Sequence, residues 1–280
     1  MTTTHELDSP LSAELFADKI FDAIRGAAVV QSLYLGDRLG WYRTLADEGP
    51  LTAAELAHRT GTGERYAREW LEQQSVAGLV LADLDRQPVR FALPPSYAAV
   101  LADPESLSYL APLARIFAAT GRRSADLLRV FRTGGGVSWE ELGADAREGQ
   151  AAANRPLFLH QLVAEILPQL PDVDARLREG VRVAEFGCGE GWASIGLALG
   201  YPDSVIDGVD IDEPSIVAAR RHAAAHGVSD RVTFSDAGTA ALGTAATTPC
   251  SPSSASTICP TRSRRSPSCA GSPNSGRRSW

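Results

Sequence analysis

Apolar residues set the first reading of the chain. Leu11, Leu15, Phe16, Ile20, Phe21 and Ile24 recur three to four residues apart. That period predicts a helix with one buried stripe, inside a mostly helical stretch over 11–48. Thr52 and Glu55 form a T-x-x-E capping box that starts a second, short helix, and Gly61 can end it. A further helix should turn Ala67, Trp70 and Leu71 inward and stop at Gly78. The apolar runs LVLA and VRFAL then flank the turn-rich DLDRQP, which predicts a hairpin. Helix, turn, helix and hairpin together describe a winged helix-turn-helix. Residues 105–178 read as mostly helical. GGGVSWEELG at 134–143 reads as a flexible break, and Asn154 with Pro156 as the start of a helix through Phe158, Leu162, Val163 and Ile166. His160 lies on that helix and receives no role.

The pattern changes after residue 180. VRVAEF, SVIDGVD and RVTFSD are short apolar strands. WASIGLALG is a helix between the first two, and a helix capped by Asp212, Glu213 and Pro214 follows the second. Strand and helix alternating at this spacing predict a parallel, right-handed βαβαβ half-sheet. GCGEG links the first strand to its helix. Gly187, Gly189 and Gly191 allow a sharp turn there and let a ligand approach the main chain without a Cβ clash. Asp210 ends the second strand, 19 residues after Gly191. That is where a carboxylate receives two ribose hydroxyls, beyond the carboxyl ends of the strands.

Composition narrows the ligand and the partners. Net charge is −7, and the five charged residues after 242 are all Arg, which leaves −12 on residues 1–242. An acidic body opposes non-specific binding to nucleic acid. On the second helix of the winged motif, Glu64, Arg65, Arg68, Glu69 and Glu72 nearly cancel, whereas a DNA-reading helix should be basic. A structural or dimerising role is the expectation. No apolar run is long enough to span a membrane. MTTTHELDSP lacks a signal peptide's basic start and apolar stretch. The four Cys fit no zinc or redox spacing. A reduced, cytoplasmic, metal-free protein is expected. Cys188, within the turn, reads as a small filler with acidic neighbours rather than a nucleophile. Asp207 and Asp212 read as solvent-facing or capping residues.

A dinucleotide fingerprint wants GxGxxG, but Trp192 holds the last of those positions and the spacing is GxGxG. A carboxylate just before the glycines, Glu185, would also oppose a pyrophosphate. S-adenosyl-L-methionine carries no phosphate, and its sulfonium and amino groups suit nearby carboxylates. Glu185, the three glycines, Asp210 and Asp236 therefore favour that ligand. A nucleotide-type domain binding something else stays open.

The stretch resembles the class I S-adenosylmethionine-dependent methyltransferases. EFGCGEG looks like their first motif, GVDID their second and SDAG their third. The winged helix before these motifs is similar to a bacterial branch acting on small molecules. The resemblance runs over roughly 11–242. It implies that Glu185, Gly187 and Gly189 surround the methionine part, that Asp210 binds the ribose, and that Asp236 with Ala237 meets the adenine. Cys188, Gly191 and Ile211 complete the expected binding set, and no catalytic base is identified. The implied layout is α/β. It has a mostly helical winged-helix domain over 1–104 and helices on the substrate side over 105–178. A partial Rossmann-like domain with the first three parallel strands covers 179–242, and an aberrant or disordered tail covers 243–280. The implied partners are a small-molecule methyl acceptor and a second copy, joined through the N-terminal domain. A winged-helix DNA-binding regulator that senses S-adenosylmethionine and a dimerising pseudoenzyme are the alternative functions.

The tail departs from everything before it. No Asp, Glu or Lys follows Ala237, and Ser, Pro, Thr and Arg replace the apolar period after Leu242. GC-rich codons for Ser253–Arg262, read one frame over, yield ECIHDLPDP. The same shift lets 247–251 read YDAVL. Both look like the fourth strand and following loop of this methyltransferase branch. We read a frame change near residues 243–247, which would leave the first strand as a bare edge and impair catalysis.

Overall fold

The computed structural model describes residues 11–237 and the backbone of 257–260. In chain order, the first helices are α1 (Ala13–Arg38), α2 (Trp41–Glu48), α3 (Ala53–Thr60) and α4 (Glu64–Val76). A hairpin of β1 (Leu81–Asp83) and β2 (Arg90–Ala92) follows. Then come α5 (Pro95–Leu101), α6 (Leu113–Arg122), α7 (Ser124–Thr133), α8 (Trp139–Leu142) and α9 (Ala144–Pro156). A π-helical segment (Leu157–Ile166) and α10 (Pro171–Arg178) lead into β3 (Arg182–Phe186), α11 (Trp192–Gly200), β4 (Val205–Asp210), α12 (Glu213–Ala225) and β5 (Val232–Asp236). The last strand is β6 (Thr257–Pro260).

The winged motif forms for local reasons. The Thr52 hydroxyl accepts the Glu55 N–H and the Glu55 carboxylate accepts the Thr52 N–H, so α3 starts on a complete capping box. Gly61 and Gly78 close α3 and α4 with φ of 65° and 74°. Ala67, Trp70 and Leu71 are buried, as expected. The hairpin pairs Ala82 with Phe91, and Leu51 bridges Phe91 from the other side. Trp41, Tyr42, Leu45, Leu56, Trp70, Leu71 and Phe91 fill this first core.

Two helical expectations are corrected. Leu15, Phe16, Ile20, Phe21 and Ile24 lie exposed on α1, and Leu11 lies exposed just before it; Phe21 retains 65% of its surface. Periodicity marks a face but does not say what covers it, and α1 buries residues only near its other end, at Gly36. Pro156 does not begin a helix but sits at the last position of α9. Proline has no N–H for the α-helical bond to residue 152. The chain continues beyond it in the wider π form. The 134–143 stretch contains α8, opened by a capping box between Ser138 and Glu141.

β3, β4 and β5 are parallel, in the order β5-β4-β3. Val183, Ile195, Leu197, Ile206, Ile216 and Phe234 form the core around them. The expected bare edge on β3 is not found. β6 pairs antiparallel along it, from Val183 opposite Pro260 to Phe186 opposite Thr257, so backbone groups on that edge are matched. The rest of the tail, including the frame change read at 243–247, lies outside the described residues.

Candidate functional site

β3 ends at Phe186 and the chain turns through residues 187–191 into α11. The turn is tied to the neighbouring strand. Gly187 and Cys188 both donate their N–H to the Val209 carbonyl, at 2.8 and 3.2 Å, and Gly191 donates to the Cys188 carbonyl at 2.8 Å. φ is 74° at Gly187, 52° at Gly189 and 82° at Gly191, a region costly for any residue with a Cβ. The three glycines nevertheless differ. At Gly187 and Gly189 the space a Cβ would occupy is open, so backbone faces the site. At Gly191 a Cβ would stand 2.5 Å from Phe234 and 2.9 Å from Ala219, so this glycine serves packing.

Asp210 braces the turn. Its carboxylate accepts the Gly189 N–H at 2.7 Å and the Asp212 N–H at 2.9 Å. Its carbonyl accepts the Ala237 N–H at 2.8 Å. Asp236 stands opposite Asp210 in the β4–β5 register. Gly187, Gly189, Asp210, Asp236 and Ala237 thus gather at the carboxyl edge of three parallel strands, where an α/β sheet receives its ligand. Ile211 follows with 81% of its surface exposed, an apolar side chain beside the Asp210 carboxylate.

Two expected residues point elsewhere. Glu185 is 1% exposed, and the Ser194 hydroxyl donates to its carboxylate at 2.5 Å. Burial pushes that carboxyl up to about 7, against the Ser194 hydrogen bonds that lower it. It holds the start of α11 from below the turn. Cys188 is buried and burial pushes its thiol up, with Glu185 and Asp210 adding to the effect. Asp212 caps α12 as expected, accepting from the Ser215 N–H and hydroxyl, but it is buried. Asp207 pairs with Arg182 on the neighbouring strand and caps no helix.

A further set of groups, around Glu190 and Trp192, was not legible in the sequence. Burial, then Glu148, push the Glu190 carboxyl up to about 7, while Arg221, Arg147 and Arg115 oppose. Glu190 stands 3.8 Å from His222 Nδ1. Trp192 stacks on the His222 ring at 4.4 Å between centroids, and the Arg155 guanidinium lies 5.0 Å from the Trp192 ring. Arg155 pairs in turn with Glu105 at 2.5 Å, and His160 meets the same carboxylate at 3.1 Å. Only the Trp-for-Gly departure at 192 hinted at this packing. Among the described residues no group of three or more His, Cys, Asp or Glu could hold a metal ion. No described helix is long and apolar enough to cross a membrane.

Residues 27–103 match the Rv2258c-like winged HTH domain. The solved structure of mitomycin 7-O-methyltransferase MmcR is 23% identical over 79% of this chain and 65% of its own, with a TM-score of 0.50. LaPhzM is 21% identical over 79% and 66%, with a TM-score of 0.57. Human N-acetylserotonin methyltransferase in complex with SAM is 17% identical over 82% and 67%, with a TM-score of 0.52. The chain shares its fold with these methyltransferase structures. The chain spans about two thirds of the length of these structures. No curated protein sequence matches it. The winged domain match falls on α1–α5, and the glycine turn lies in the α/β half that these structures share in fold.

Proposed function

We propose that the chain binds S-adenosylmethionine at the carboxyl edge of β3, β4 and β5 and serves methyl transfer to a small-molecule nucleophile. The observation that carries this reading is the Asp210 carboxylate, hydrogen-bonded to the glycine turn and set beside two glycines whose Cβ positions are open. The bound donor supplies an electrophilic methyl group on a sulfonium. Gly187 and Gly189 let the main chain approach its methionine part, and Asp210 receives the ribose hydroxyls. Asp236, Ala237 and the exposed Ile211 flank the adenine. Glu185 contributes by holding α11 against the turn, since its side chain is sealed in the core. The described residues offer no defensible general base, so this half of the molecule acts by orienting the methyl donor.

The winged domain is read as a dimerising element. Leu11 and five apolar side chains of α1 stand exposed along one stretch that a second copy would cover. On α4, Arg65 pairs with Glu69 and Arg68 with Glu64. Those guanidinium groups are already matched by carboxylates, which weakens a DNA-reading role.

Ultraviolet cross-linking of methyl-labelled S-adenosylmethionine to the full chain tests the reading. Label should map to peptides spanning 186–212 and be displaced by S-adenosylhomocysteine but not by NAD. Displacement by NAD, or no specific label, would overturn it.

A further inference from the structure

Helix α9 reaches into the turn after β4. Arg147 Nε lies 3.4 Å from Asp212 Oδ2, and its Nη1 donates to Oδ1 at 3.5 Å. Both side chains are largely buried. Asp212 shares with Gly189 the task of holding Asp210: its N–H donates to the second oxygen of the Asp210 carboxylate at 2.9 Å, while its own carboxylate caps α12 through Ser215. A buried carboxylate relies on its cation, and loss of that partner leaves its charge uncompensated. Arg147 in turn has a fixed base. On the same helix Asp145 receives Arg38 of α1 and Arg122 of α6, and Glu148 receives Arg38. Gly149 lets α9 lie against α6, where a Cβ would stand 2.8 Å from the Pro112 carbonyl. These contacts form a continuous path from the winged domain through α9 to Asp210.

We propose that Arg147 is a positioning residue: from the helical half of the molecule it fixes Asp212, and through it the carboxylate that reads the ribose of the methyl donor. The inference rests on the binding mode proposed above. It predicts that Arg147 acts on ribose recognition specifically, without touching the ligand.

The test is calorimetric titration of the full chain with S-adenosylhomocysteine and its 2′-deoxy analogue, for wild type, Arg147→Ala and Arg147→Lys. Wild type should prefer the ribose form by about tenfold, the scale of one charged hydrogen bond. Arg147→Ala should lose most of that preference, and Arg147→Lys should recover part of it. The ratio between the two ligands is unaffected by a general loss of folded protein. The inference is overturned if both variants keep the wild-type ratio, or if both ligands weaken equally. It is also overturned if wild type binds the two ligands alike. Failure of wild type to bind S-adenosylhomocysteine at all would overturn the binding mode itself, and the inference with it.

Discussion

At the scale of the residue, Glu185 ties packing to pH. Its carboxyl is raised from its ordinary 4.5 to about 7 by burial. An acid held neutral by the fold gives its full stabilisation below about 4.5 and loses it as pH rises through about 7. Glu185→Gln is neutral at every pH and can still accept from Ser194. Its stability relative to wild type should therefore climb between those two values and level off above them, by on the order of 3 kcal/mol. Urea denaturation across the pH range measures this, and a difference that does not vary with pH would contradict it. Glu190 titrates in the same window, which is why the comparison must be with the isostere. Spacing made the glycines, Asp210 and Asp236 legible in the sequence, because a strand end followed by a tight turn has few solutions. It could not show that Gly191 packs on Phe234 while Gly187 and Gly189 face open space. Nor could it show that Glu185 points inward, since one residue of register moves a strand side chain to the other face of the sheet.

At the scale of the element, α1 presents apolar surface with no described partner. If a second copy covers it, Phe21→Asp should convert a dimer to a monomer in light scattering at micromolar concentration, with the far-ultraviolet spectrum unchanged. A wild-type monomer, or a dimer unaffected by the substitution, would contradict the assignment. Capping boxes were readable because their chemistry is local: Thr52 and Glu55 need only each other. The same grammar was present at Ser138 and Glu141, but the preceding run of glycines obscured it. Pro156 was misread as a helix start, because nothing local shows that a helix begun at Ala144 can widen to pass it.

At the scale of the whole molecule, the sheet order β5-β4-β3-β6 places three parallel strands beside one antiparallel strand. The parallel part followed from alternation of strand and helix. The pairing of 257–260 with β3 did not, because nothing in that stretch's composition names a partner. We propose that the reading frame changes near residues 243–247, where apolar periodicity stops and acidic residues vanish. Re-sequencing the gene from codon 235 should reveal a one-base change that restores a YDAVL-like strand and a CIHD segment. An intact frame as written would refute that proposal and leave the binding site as described.

The turn after β3 and Asp210 are proposed to form the donor site. Calorimetric titration of wild type and Asp210→Asn with S-adenosylhomocysteine tests it most directly. Wild type should bind saturably and the variant about tenfold or more weakly, as expected for loss of a charged partner to two hydroxyls. Absence of binding by wild type, or equal affinity in Asp210→Asn, would contradict it.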